Sequence, residues 1–310
     1  MKVILHAFLA AFFLVSCTTL KIENTDYEKD LQPRVAPYSN CFAIVAFTLN
    51  YTEQKCFPII KINNSYLLLD SGASNTYVGK KALKDLFQID FETFVNQHGS
   101  ITEDGNIHTF DSCVGFWNIP SYEGGRKQIP FYASNFSSSL FDGIIGQDAF
   151  RQFSNIIIDY KNKVIVFDGA SINGDEIPMI IDEQGLCFIE LLLNGKKETC
   201  LIDTGADVFI LRGTFFEKDC NYNYTKLEQI EKLKERKVEP TPPHNYLFKN
   251  VKIGNVKYKK ITGLLASDSR IQMTPEARAR LSEYSSLGFP FFKDKIIQLD
   301  YKNQVFRISK

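Results

Sequence analysis

Histidine is scarce in this chain. Four occur among 310 residues (His6, His98, His108 and His244), and no two of them lie at a spacing that suits a metal ion. The His-Glu-x-x-His signature is absent, as are the Gly-x-Ser-x-Gly turn of the serine hydrolases and any glycine-rich phosphate loop. No Cys-x-x-Cys pair is present. Neither sign of charge is in excess: Lys and Arg together number 36, as do Asp and Glu. That balance gives no electrostatic draw towards nucleic acid. Beyond the first 16 residues no apolar run is long enough to span a bilayer. These absences argue against metal-dependent, serine-nucleophile and nucleotide chemistry, and the expectation is a chain without metal or cofactor.

The remaining composition is that of a packed globular chain, 44% apolar and 23% charged, with 26 Phe and 14 Tyr as in strand-rich proteins. Residues 1–16 read as a signal segment: Lys2 supplies positive charge, and Val3 to Val15 is apolar apart from His6. It ends Leu14-Val15-Ser16-Cys17, which resembles the lipobox of bacterial lipoproteins. That resemblance implies lipidation at Cys17, and Thr18 in place of Asp then points to the outer membrane. The alternative is an ordinary secretory signal. Several acyl chains acting together would anchor the protein firmly. Residues 17–38 are polar, with Pro33 and Pro37, and read as a tether. Seven cysteines occur, six of them after Cys17; an oxidising compartment permits up to three disulfides among these, and buried thiols are the equal alternative. The four Asn-x-Ser/Thr sites (Asn50, Asn63, Asn135 and Asn223) matter only in a eukaryotic secretory setting.

From there the chain repeats itself. Leu67-Leu68-Leu69-Asp70-Ser71-Gly72-Ala73 is matched by Cys200-Leu201-Ile202-Asp203-Thr204-Gly205-Ala206. Each follows a strand that opens with Cys-Phe and a turn, at Asn63-Asn64 and at Asn194-Gly195. Downstream, Gly143-Ile144-Ile145-Gly146 answers to Ser286-Leu287-Gly288, and Asp159-Tyr160-Lys161-Asn162 recurs as Asp300-Tyr301-Lys302-Asn303. The longer spacing in the second half implies an insertion there, and Lys226 to Lys237 reads as a solvated surface helix within it. Further short helices are expected over Lys80–Phe87, Gln147–Phe153 and Pro275–Tyr284, and a linker near Gly169–Pro178. The halves are placed at residues 39–172 and 173–310.

An aspartate at the end of a buried strand is costly unless it finds partners. Two of them, one from each half, can partner one another. At ~3 Å separation two full charges repel by about 5 kcal/mol at an effective dielectric near 20. Such a pair therefore holds one proton over a wide pH range, the known pattern of the aspartic proteases. Ser71 and Thr204 offer hydroxyls to tie the two loops together, while Gly72 and Gly205 allow close approach.

With these motifs the sequence resembles the retropepsin/pepsin clan of aspartic peptidases over roughly residues 40–310, as a single-chain, duplicated, lipoprotein-type member. The resemblance implies a mostly β, bilobal acid-protease fold with two pseudo-twofold-related lobes and short helices. It implies an aspartic endopeptidase in which water activated between Asp70 and Asp203 attacks an extended polypeptide, with Ser71, Gly72, Thr204 and Gly205 supporting the catalytic loops. It also implies a monomer that acts as an internal pseudo-dimer. A flap is placed in a hairpin turning at Asp104-Gly105. Trp117 and Tyr122 are expected in the core. The alternative function is a catalytically silent peptide- or partner-binding lipoprotein on the same scaffold, and a duplicated β sandwich with fortuitous motifs is a third reading. The expected location is extracytoplasmic and lipid-anchored, or else secreted.

Overall fold

Asn63 and Asn194 occupy the same place in the two halves, and both hold a left-handed backbone, with φ of 50° and 52°. Asparagine tolerates that conformation better than most residues. Each reverses the chain between two antiparallel strands. Lys55–Ile62 turns into Ser65–Leu69, and Cys187–Leu193 turns into Lys196–Ile202. The second strand of each pair delivers an aspartate. These features come from a computed structural model, which describes residues 38, 40–52, 55–98, 113–120, 126–134, 138, 140–212, 225–226, 246–267 and 275–309.

The architecture is mostly β with a few short helices. Its core logic is one strand crossing used twice. Ser65–Leu69 pairs in parallel with Gly143–Ile145, which pairs antiparallel with Tyr77–Val78, itself parallel to Arg126–Ala133. In the second half Lys196–Ile202, Ser285–Leu287, Phe209–Leu211 and Val256–Leu265 repeat that order and those directions. Strands in such a crossing are covered on both faces, which is why they read as apolar runs rather than alternating ones. Leu67, Leu69, Ile202 and Leu287 are fully buried. Gly146 and Gly288 follow strands Gly143–Ile145 and Ser285–Leu287 and precede the short helices Gln147–Phe150 and Phe289–Phe292. A side chain does not fit at either glycine: a Cβ would lie 2.4 Å from the Asn75 carbonyl oxygen and 2.2 Å from that of Val208.

A six-stranded sheet joins the halves. Its centre is the antiparallel pairing of Asn155–Asp159 with Ile296–Asp300, in which Asp159 faces Ile296 and Asp300 faces Asn155. The two identical turns lie at its ends. Asp159 Oδ1 accepts from the backbone N–H of Lys161 and Asn162, and Asp300 Oδ1 from that of Asn303. The stretch expected as a linker contains a strand of this sheet, Asp175–Pro178, paired with Val305–Ile308. The hydrogen-bonding edge of that last strand overrides the turn-like composition.

Helix Lys80–Phe87 lies where it was expected, and its buried face is Ala82, Leu83, Leu86 and Phe87. The other two expected helices are shorter, Gln147–Phe150 and Pro275–Glu283. Helix Phe91–His98 is additional to the sequence expectation. Trp117 is fully buried in the core, as expected. Lys226 ends the short strand Thr225–Lys226. The rest of the helix expected to follow it, the Asp104-Gly105 hairpin, Tyr122, the signal segment and Cys17 lie outside the described residues.

Arg307 ties the joining sheet together from within. Its guanidinium meets Asp300 at 2.8 Å and Glu176 at 2.9 Å, with Gln298 Oε1 at 3.4 Å. Burial opposes ionisation of Asp300, but hydrogen bonds from Arg307 and Asn303 together outweigh it and hold its pKa below the usual carboxylate value. Removing Arg307 leaves that charge buried and uncompensated. Arg307→Met is expected to lower unfolding free energy by about 3 kcal/mol at neutral pH in urea titrations. A depressed pKa stabilises above the ordinary Asp value, and that stabilisation is lost as pH falls through the folded one. The difference between wild type and variant therefore narrows in acid.

Candidate functional site

The duplicated crossing brings the two aspartates to one seam. Asp70 leaves Ser65–Leu69 with its N–H donating to Ile145 O at 3.0 Å, and Asp203 leaves Lys196–Ile202 with its N–H donating to Leu287 O at 3.0 Å. In each loop the third residue donates back to the aspartate carbonyl, Ala73 to Asp70 and Ala206 to Asp203, both at 3.3 Å. The loops face one another so closely that each glycine looks onto the opposite carboxyl. A Cβ on Gly72 would lie 2.6 Å from Asp203 Cγ, and one on Gly205 would lie 2.4 Å from Asp70 Cγ. Glycine is required here by close approach, and the sequence assignment of Asp70, Asp203, Gly72 and Gly205 to one place agrees with this geometry.

Ser71 and Thr204 lock the loops by a reciprocal exchange. The Ser71 N–H donates to Thr204 Oγ1 at 2.9 Å, and the Thr204 N–H donates to Ser71 Oγ at 3.0 Å. Each hydroxyl then donates across the seam, Ser71 to Ile202 O at 2.6 Å and Thr204 to Leu69 O at 2.8 Å. Both side chains are fully buried, so all four bonds are shielded from competing water. A further brace was missed from sequence. Gln147 donates from Nε2 to Ser71 O at 2.9 Å, and its Oε1 accepts from the Tyr301 hydroxyl at 3.0 Å. Position 289 in the second half is Phe, and the matching Tyr160 hydroxyl has no partner.

Electrostatics favour a shared proton. Burial and then the Asp203 charge push the Asp70 carboxyl well up from the ordinary range. Burial also raises Asp203, opposed by hydrogen bonds from Ser286 and Asp70. The two carboxyls are enclosed by protein on most sides but keep partial solvent access, as do Gly72, Ala73, Gly205 and Ala206. Such a seam presents one proton donor and several acceptor oxygens to anything that approaches. A cavity of about 560 Å³ opens beside the Asp70 loop, lined by Ala73, Ser74, Tyr77, Ile144, Gln184 and Arg280 among others. Among the described residues no cluster of side chains suits a metal ion. Cys41, Cys187 and Cys200 are thiols, and burial pushes that of Cys187 up to about 12.

Truncating either clamp hydroxyl strands a buried backbone N–H. Ser71→Ala and Thr204→Ala are each expected to cost about 2 kcal/mol. Because the two share the same bonds, the double variant should cost at least ~1 kcal/mol less than the sum. Urea unfolding of the four proteins measures this coupling, and strict additivity would show the exchange to be energetically idle.

No family model and no curated protein matches this chain. Solved structures do resemble it. One is conglutin gamma, a basic 7S globulin from lupine seeds, at 10% identity and a TM-score of 0.49, covering 87% of this chain and 95% of that one. Another is the basic 7S globulin from soybean, at 10% identity and a TM-score of 0.44, covering 86% and 95%. Both names are those of globulins and neither is that of a peptidase. With no family model or curated relative to carry it, the sequence expectation is corrected on these points. Membership of the retropepsin/pepsin clan, aspartic endopeptidase activity and the description as a hydrolase or protease are set aside, and neither a lipoprotein signal nor an acylated Cys17 finds support in these matches.

Proposed function

We propose that this chain is a polypeptide-binding protein whose binding seam is organised by the proton-sharing pair Asp70 and Asp203. The observation that carries the reading is the mutual approach of the two loops, in which each glycine lies against the opposite carboxyl. A carboxyl pair holding one proton donates to a backbone carbonyl or hydroxyl and accepts from an N–H at the same place. That combination suits the alternating donors and acceptors of an extended chain. The partly exposed loop residues Ala73 and Ser74, with the adjoining cavity, leave room for it. A strand-like ligand would add backbone hydrogen bonds of β type. In this reading the two matching sheets act as two lobes related by a pseudo-twofold axis, and the protein works as a monomer. We place it outside the cytoplasm, lipid-anchored, on the strength of the sequence around Cys17. A fold of this kind fixes no activity by itself, so the function is argued from the site.

The test is binding of a fluorescent library of extended peptides to the full chain, followed by recovery and mass analysis of the peptides. Saturable binding with intact peptides is expected, weakened about tenfold or more by Asp70→Asn or Asp203→Asn, as suits loss of ~1.4 kcal/mol. The binding form holds the shared proton, so affinity should persist in mild acid. It should fall as pH rises through the raised pKa of Asp70. Absence of binding, or recovery of cleaved peptides, would overturn the proposal.

A further inference from the structure

The strand crossing that positions the two aspartates is the same in both halves, but the central residue of the strand beside each acidic strand is not. In the first half that residue is Ile144, paired with Leu68. In the second it is Ser286, paired with Leu201, and its hydroxyl donates to Asp203 Oδ2 at 3.0 Å. The loop and clamp hydrogen bonds around the pair are otherwise matched between the halves. Each carboxyl lowers its charge cost through its own loop N–H groups, Gly72 and Ala73 for Asp70, Gly205 and Ala206 for Asp203. The clamp bonds correspond one to one. The Ser286 hydroxyl is therefore the polar contact that distinguishes one member of the pair from the other.

We propose that Ser286 is a positioning residue that assigns the negative charge to Asp203 and leaves the shared proton on Asp70. The proposal rests on the proton-sharing part of the reading above and extends it. A hydrogen bond to an ionised acceptor is roughly twice as strong as one between neutral groups. The hydroxyl therefore favours the microstate in which Asp203 carries the charge. Ile144, at the matching position of the first half, has no hydroxyl to donate, and burial favours the neutral acid at Asp70. Burial raises both carboxyls, and the Ser286 hydrogen bond is the side-chain contact from outside the pair that lowers Asp203.

Tyr160 and Tyr284 also sense the Asp203 charge. Burial pushes both phenols up, so both are neutral where the carboxyls titrate. A fixed proton position has a consequence for ligands. The Asp70 side is the donor and lies beside Ile144, Tyr77 and the adjoining cavity. The Asp203 side is the acceptor and lies beside a hydroxyl. An extended ligand then meets a polarised seam and is held in one chain direction.

The test needs no ligand. The full chain is labelled with carboxyl-¹³C aspartate and titrated by NMR, with Asp70→Asn and Asp203→Asn used only to assign the two signals. In wild type Asp203 should ionise first and Asp70 should remain protonated to much higher pH. Ser286→Ala should raise the first apparent pKa by about one pH unit, a tenfold change in ionisation constant, and spread that first ionisation over both carboxyls. Ser286→Thr should restore the wild-type order, which a loss of packing alone would not. Unchanged curves in Ser286→Ala, or Asp70 ionising first in wild type, would overturn the assignment. A chain that binds no peptide yet shows these titrations would defeat the binding reading while leaving Ser286 in its role. Independent titration of both carboxyls near the ordinary Asp range would defeat both.

Discussion

The reciprocal exchange between Ser71 and Thr204 is the constraint on which the site depends. Two carboxyls placed at the ends of buried strands repel one another and lose hydration. They stay together only if something else fixes the loops that carry them. The four clamp bonds do so without touching the carboxyls: each hydroxyl accepts one backbone N–H and donates to one backbone carbonyl of the opposite half. The glycines then let the loops close until each carboxyl is within van der Waals reach of the other loop. The seam is held by neutral hydrogen bonds, and the charge problem it creates is relieved by keeping a proton.

The duplication is a symmetric skeleton filled asymmetrically. Gln147 and Tyr301 form a buried bridge to the Ser71 carbonyl, whereas position 289 is Phe and Tyr160 packs against Phe289 and Phe292 with its hydroxyl unpartnered. Near the start of the acidic strands the first half has Ser65, buried without a partner. The second has Glu198, bound by Arg212 at 2.9 Å and by the Ser285 hydroxyl at 2.6 Å. The backbone crossing tolerates these exchanges because its strand pairings recur in both halves.

Much of this was legible because it is backbone-driven. The two Asp-Ser/Thr-Gly-Ala loops, the glycines at 146 and 288 and the repeated Asp-Tyr-Lys-Asn turn are short-range signals with steric or hydrogen-bonding causes, and they led directly to the seam. Helix Lys80–Phe87 showed its apolar face in the sequence. Strand Asp175–Pro178 did not, because its pairing with Val305–Ile308 is set by a partner far along the chain. Helix Phe91–His98 was hidden by its Phe and Val content, which suits strands as well. The contacts of Gln147 and Ser286 were unreadable for the same reason as the strand: a side chain's partner across a fold leaves no local trace. Activity was the least legible property. Motifs that imply a carboxyl pair do not state what the pair is for, and the peptidase expectation drawn from them did not stand.

The central claim is a single proton held between two facing carboxyls, and neutron diffraction from a crystal exchanged into heavy water near neutral pH tests it directly. The account predicts one deuteron in the space between Asp70 and Asp203, bonded to Asp70, with Asp203 Oδ2 accepting from the Ser286 hydroxyl. Two carboxylates with no deuteron between them, or carboxyls turned apart into separate solvent, would contradict it.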